Sequence, residues 1–218
     1  MPKIKLPKSS PLLDMTPMVD LAFLLVTFFM LTASVRVDEP VIVDTPSSVS
    51  EKILPPNTVM VIIDKDGRSF YNMDNPKVRI STLERMGKQY NITFSDAEKS
   101  GFARMGSFGV PIQSLKQYIM MDAATRAKYK SPGIPVDSLN NQLGDWIVFG
   151  YSEAGKSYNA EKNKAKELGR DFKAEKPRLA LKADGKTNYI AVQNVINIIK
   201  KKKLEPRLNF ITNLEQEE

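Results

Sequence analysis

The sequence predicts a single N-terminal transmembrane helix followed by an α+β domain in which helices pack against a small sheet. The first observation behind this fold class is one long apolar segment near the N-terminus. The second is a set of strand, turn and helix patterns beyond a stretch rich in proline and serine. The third is composition, because 42% of the 218 residues are hydrophobic and 26% are charged, which is close to the usual globular mixture. The mean hydropathy of −0.30 excludes a protein with many membrane spans.

Two residue types with common chemical roles are absent, since the chain contains no cysteine and no histidine. A disulfide scaffold, a thiolate or imidazole metal site and Ser–His–Asp catalysis are therefore excluded. We expect no metal ion and no cofactor. The formal charge of +7 owes much to the run from Lys200 to Lys203, which follows an amphipathic stretch and suits the C-terminal end of a helix. We therefore expect no nucleic-acid partner.

Residues 16–37 are predicted to form the transmembrane helix. The apolar stretch from Met18 to Val35 contains one charged residue, Asp20. As a helix, the 21 residues from Pro17 to Val37 are about 31 Å long, which matches the ~30 Å hydrocarbon core of a bilayer. A cleaved signal peptide is the alternative, but the apolar run is longer than the usual signal core and Asp20 interrupts its start.

The flanking charges predict how this helix is oriented. Three lysines precede it within residues 1–15, whereas acidic residues dominate just after it. By the positive-inside rule the N-terminus lies in the cytoplasm as a short tail. Residues 38–57 are then a linker outside the membrane, and residues 58–218 form an outer domain. In a bacterium the anchor lies in the inner membrane and the outer domain in the periplasm.

The acid near the start of the helix is the candidate functional group. A carboxylate at the membrane centre costs roughly 2.5–3.5 kcal/mol, so Asp20 favours uptake of a proton that removes its charge. Thr27 and Ser34 follow at intervals of seven residues and lie along the same stripe of the helix. Such a stripe faces a partner or a water-lined path. An incidental Asp20 at the membrane interface is the alternative from the residues alone.

The segment Pro11–Met30 resembles the N-terminal signature of the ExbD/TolR family of biopolymer transport proteins. The core T-P-x-V-D of that signature falls on Thr16, Pro17, Val19 and Asp20. The resemblance implies that Asp20 is the proton-carrying acid and that the protein is not an enzyme. It also implies three partners, namely an ExbB/TolQ-type membrane pentamer, a second copy of this chain and a TonB-like energy transducer.

The function implied by this resemblance is that of a motor subunit. It would couple the proton-motive force across the inner membrane to TonB-dependent or Tol-type transport at the outer membrane, with the choice between the two left open. A membrane-tethered periplasmic binding domain with an incidental Asp20 is the alternative from a different class.

The outer domain is predicted from patterns at its two ends, and its C-terminal part from Arg178 to Glu215 also resembles ExbD-type domains. Strands are expected at 58–63 and 69–72, joined by a hairpin turn at Asp66–Gly67, and at 177–183 and 207–212. A helix is expected at 189–203, where Thr187 or Asn188 can cap it. Residues 75–176, named here the inserted region, depart from the usual family length. Helices are expected within it at 80–90, 111–129 and 138–149.

A phosphate-binding sequence pattern occurs at residues 150–157. Gly150–Ser157 fits the pattern G-x-x-x-x-G-K-S, in which Lys156 would bind phosphate and Ser157 magnesium. A P-loop requires a strand directly before it, whereas residues 145–149 have helical apolar spacing. The sequence therefore favours a chance match, and a membrane-anchored nucleotide hydrolase is an unfavoured alternative.

Overall fold

The computed structural model describes residues 15–32, 47–48, 57–137, 140–202, 208–211 and 213–214. The chain divides into two compact units, residues 1–36 and 37–218. The helices are α1 (Thr16–Thr32), α2 (Pro76–Tyr90), α3 (Asp96–Arg104), α4 (Ile112–Met120), α5 (Ala123–Lys128), α6 (Gln142–Glu167) and α7 (Tyr189–Lys201). The strands are β1 (Ser47–Ser48), β2 (Val59–Ile63), β3 (Ser69–Met73), β4 (Leu179–Ala183), β5 (Leu208–Ile211) and β6 (Asn213–Leu214).

The first unit contains α1, which covers residues 16–32 of the predicted span. Its 17 residues make a helix of about 25 Å. Residues 33–37 of the predicted span, the tail 1–14 and most of the linker lie outside the described residues. Among the helices of the described ranges, none is both long and apolar enough to cross a membrane.

The second unit is built on a four-stranded sheet in the order β3-β2-β4-β5. β2 and β3 form the predicted antiparallel hairpin, and its turn includes Gly67 at a φ of 76°, where a glycine is favoured. β4 runs parallel to both β2 and β5. A separate parallel pair joins β1 and β6. The described part of this unit is thus an α+β domain with a small sheet packed by helices, as predicted.

The parallel pairing of β4 and β5 requires a crossover, and α7 supplies it. Asn188 caps this helix by accepting a hydrogen bond from the backbone N–H of Ile190, at 3.0 Å. Val195, Ile198 and Ile199 are buried and form its inner face. The predicted C-terminal strand–helix–strand order is therefore confirmed.

The inserted region shares its hydrophobic core with the sheet. Trp146 of α6 and Phe102 of α3 are almost fully buried, and their ring centroids lie 5.9 Å apart. The ring of Phe108 lies 5.8 Å from that of Tyr71 on β3. Because these aromatic rings form one cluster with the inner face of the sheet, the inserted region is part of the same domain core.

The helices α2 to α5 of the inserted region differ from the prediction. α2 begins at Pro76 rather than at residue 80, because Asn75 caps it by accepting from the backbone of Lys77. The single helix predicted at 111–129 is two helices, since Asp122 caps α5 and starts a new turn there. A capping-box pair begins α3, which the sequence reasoning missed.

α6 is the largest correction. The predicted helix 138–149 begins within residues that are partly outside the described ranges and was expected to end before Gly150. The structure shows one helix of 26 residues from Gln142 to Glu167. The charged residues from Glu161 to Glu167, at its C-terminal end, are exposed.

Candidate functional site

The apolar helix α1 carries the candidate proton-binding residue. Asp20 is exposed and is the charged residue among the described residues of this helix. No described side chain of α1 is buried, and Leu21, Phe23 and Leu25 expose 68%, 65% and 57% of their area. A helix that is apolar on all sides requires an apolar surrounding or partner helices.

Asp20 and Thr27 lie on one face of α1. Seven residues correspond to nearly two turns, so the two side chains stand about 10 Å apart along the helix axis. Leu24 and Leu31 fall on the same stripe. The third polar residue predicted for this stripe, Ser34, lies outside the described residues.

The Thr27 hydroxyl is already used within α1. Its oxygen lies 2.9 Å from the carbonyl oxygen of Phe23 and 3.0 Å from that of Leu24, so its proton is donated to the preceding turn. The remaining capacity of Thr27 is to accept a hydrogen bond. Asp20 is thus the residue of this stripe that can gain or lose a charge.

The phosphate-like motif lies inside α6. Gly150–Ser157 is helical throughout, and the residues before it belong to the same helix rather than to a strand. Gly150 is buried against Tyr71, whose hydroxyl occupies the space that a Cβ at position 150 would need. The first glycine of the motif is therefore explained by close packing of α6 on β3.

The polar residues of the motif pair along the helix surface. Lys156 Nζ donates to Glu153 Oε1 at 2.7 Å, and Ser157 Oγ lies 3.4 Å from Glu161 Oε1. Arg85 on α2 also donates to Glu153 Oε1, at 2.8 Å. Partial burial opposes ionisation of Glu153, but the hydrogen bonds and charges of Lys156 and Arg85 outweigh it and lower the pKa of Glu153. Lys156 thus has a carboxylate partner in the structure.

A buried arginine was not found by the sequence reasoning. Arg79 is 4% exposed and donates to the carbonyl oxygens of Met105 and Gly106. Its guanidinium lies 5.2 Å from the ring centre of Phe102. Burial lowers the pKa of Arg79 to about 10, against the opposing effect of nearby Tyr71. The available signal was its place beside Val78 on the apolar face of α2.

These side chains organise the core and the helix packing, and they do not form a cleft with paired acids and bases. In the described residues, no group of three or more acidic side chains lies close enough to hold a metal ion. On α1, Asp20 is a protonatable side chain within an otherwise uncharged helix.

A sequence model of the family described as biopolymer transport protein ExbD/TolR matches residues 7–213. The match spans α1, the four-stranded sheet and the whole inserted region. No curated protein and no solved structure matches the chain.

Proposed function

Because this chain belongs to the ExbD/TolR family of biopolymer transport proteins, we propose that it is the proton-carrying subunit of an inner-membrane motor. The observation that carries the proposal is Asp20, a carboxylic acid on a helix whose other described side chains are uncharged. Protonation removes the charge of this helix and deprotonation restores it. Each proton that moves down a potential of ~100 mV releases about 2.3 kcal/mol.

The mechanism follows from the cost of a charge in the membrane. A proton that enters from the periplasmic side neutralises Asp20 and lets α1 turn or shift against surrounding helices. Release to the cytoplasmic side restores the carboxylate, which again requires a polar or aqueous surrounding. Alternation between the two states drives one direction of movement as long as the proton gradient persists.

We propose that the surrounding helices belong to an ExbB/TolQ-type pentamer and that two copies of this chain share its pore. The exposed apolar side chains on every side of α1 support a helix enclosed by other helices. Residues 16–37 would anchor the chain with the N-terminus in the cytoplasm. The α+β domain would lie in the periplasm and pass the movement to a TonB-like or Tol-type transducer.

The test is a complementation experiment in a strain that lacks the wild-type copy. Asp20→Asn keeps the size of the side chain but cannot carry a proton, so uptake through outer-membrane receptors should be lost. Lys156→Ala is the matched control for the phosphate-like motif and should leave uptake unchanged. Immunoblots of membrane fractions must show equal protein levels for all variants.

The outcomes separate the classes of function. Loss of uptake in Asp20→Asn with normal uptake in Lys156→Ala supports the motor. Normal uptake together with a normal envelope in Asp20→Asn overturns it and favours a tethered periplasmic binding domain. If the strain shows no uptake defect but has envelope defects that Asp20→Asn fails to correct, the motor serves a Tol-type system.

A further inference from the structure

The N-terminal end of α6 meets the C-terminal ends of two other helices at Asp145. Tyr90, the last residue of α2, donates its hydroxyl proton to Asp145 Oδ2 at 2.9 Å. Lys202, which directly follows α7, donates to Asp145 Oδ1 at 2.9 Å. Both oxygens of one carboxylate are therefore engaged, one from the inserted region and one from the crossover helix.

Apolar packing brings α6 and α7 together beside this junction. Gly144 lies so close to α7 that a Cβ at this position would be 3.0 Å from Cγ2 of Ile198. Val195 and Ile199 of α7 belong to the same core cluster as Leu143 and Ile147 of α6. The junction at Asp145 therefore sits at the rim of a close helix–helix contact.

The inserted region is also fixed to the opposite end of the sheet. Tyr71 and Phe108 exchange two backbone hydrogen bonds of 2.9 and 3.0 Å along the outer edge of β3. The backbone N–H of Ile134 donates to the carbonyl oxygen of Ser69 at 2.8 Å on the same strand. One region thus holds the edge strand β3 and also contacts the crossover helix α7.

We propose that the inserted region is an intramolecular brace that holds the C-terminal end of α7 through Asp145. The pairing of β4 with β2 already joins the crossover unit β4–α7–β5 to the sheet, and the brace adds a second attachment at the C-terminal end of α7. This inference goes beyond the proposed motor function and needs no proton transport for its test.

If the inserted region is a brace, the loss of a contact on one helix should loosen another helix. Tyr90 holds Asp145 but lies on α2, so loss of its hydroxyl should loosen α7 through Asp145. Tyr90→Phe removes only the hydroxyl oxygen. Lys88→Met changes an exposed residue of the same last turn of α2, outside the junction, and serves as its control.

The direct contact is tested by a second matched pair. Lys202→Met removes the cation that binds Asp145, whereas Lys201→Met removes a neighbouring exposed cation from the same helix end. Both changes weaken the favourable interaction with the helix dipole, so a difference between them reports the contact with Asp145.

The measurement is hydrogen–deuterium exchange of the full-length chain, read by mass spectrometry over α7 and β5. We expect Tyr90→Phe and Lys202→Met each to raise exchange there by about two- to fivefold. Lys88→Met and Lys201→Met should leave it unchanged. The brace is overturned if Tyr90→Phe matches Lys88→Met, or if exchange rises equally across the whole sheet. Failure of Asp20→Asn to affect uptake would leave these results intact.

Discussion

The hydroxyl of Tyr71 on β3 lies against the backbone of Gly150 on α6, in the space where a side chain at position 150 would begin. The contact joins the sheet to the longest described helix at the first glycine of the phosphate-like motif. In a P-loop that glycine would shape a loop around a phosphate. Here its lack of a side chain permits a strand and a helix to approach closely.

Alanine substitutions at the two glycines of the motif should therefore have opposite effects. Gly150→Ala forces a methyl group against Tyr71 and should lower the free energy of unfolding by about 1–3 kcal/mol. Gly155→Ala meets no atom within 4 Å and should raise it by up to about 1 kcal/mol, because alanine favours a helix. Chemical denaturation of the full-length chain measures both values. A destabilised Gly155→Ala would contradict the packing explanation.

Removal of the Tyr71 hydroxyl should relieve the effect of Gly150→Ala. This hydroxyl is buried and has no hydrogen-bond partner among the described residues. Tyr71→Phe alone should therefore be neutral or stabilising, because the lost group makes no compensating bond. The double variant should recover part of the loss seen in Gly150→Ala, measured by the same denaturation. Simple addition of the two single effects would show that the residues do not interact.

The parts of the fold that sequence reasoning found are those with a strong local signal. The hairpin turn at Asp66–Gly67 and the cap at Asn188 each combine a turn or cap residue with a clear apolar pattern. The parts that it missed depended on weaker or longer-range information. Gly150 lies within α6 rather than at its end, because the close contact with Tyr71 requires a residue without a side chain there. That contact cannot be recognised from the sequence.

The candidate functional residues also differ in how much of their signal is local in the sequence. The sequence marks Asp20 as a candidate because a charged residue in an apolar segment can be recognised without the fold, and its role stays a prediction. The burial of Arg79 could not be recognised in this way, since it depends on the carbonyl oxygens of Met105 and Gly106, more than 20 residues away. Local spacing marks the apolar face of α2, but only the packed structure shows that an arginine completes it.

Arg79 should be important for the stability of the inserted region. Arg79→Met keeps an apolar stem but leaves one buried and one partly buried carbonyl oxygen without their donor, which should cost about 2–4 kcal/mol. Lys77→Met on the exposed side of the same helix is the control and should change stability by less than about 0.5 kcal/mol. Thermal unfolding followed by circular dichroism compares the two. Equal midpoints would mean that water replaces the guanidinium at no cost.

Glu153 forms ion pairs with Arg85 and Lys156, and this cluster should make the free energy of unfolding depend on pH in the acid range. The pKa of Glu153 lies below its usual value of 4.5 in the folded chain, so its contribution is present above that pH. The contribution disappears as pH falls through the folded pKa, because the protonated acid no longer pairs with Lys156 and Arg85. Glu153→Gln should therefore be less stable than the parent chain near neutral pH and equal to it in strong acid.

The measurement is the difference between the unfolding midpoints of the two chains across this pH range. A partly exposed cluster contributes at most about 1 kcal/mol, so the difference in midpoint should be small. It should decrease as the pH falls. Lys156→Met should show the same trend, since it removes one of the two cations. A difference that grows on acidification would contradict the assigned pKa direction.

Thr27 tests which residues of the stripe on α1 take part in proton transfer. Its proton is donated to the carbonyl oxygens of Phe23 and Leu24, so the hydroxyl has no proton left to pass on. Thr27→Val preserves the shape of the side chain and should retain at least about half of the uptake of the parent chain, whereas Asp20→Asn should lose it. Uptake in the complemented strain measures this, with equal membrane levels as the control. Complete loss in Thr27→Val would mean that the hydroxyl accepts a hydrogen bond that the proton path requires, and Thr27 would then join Asp20 as a functional residue.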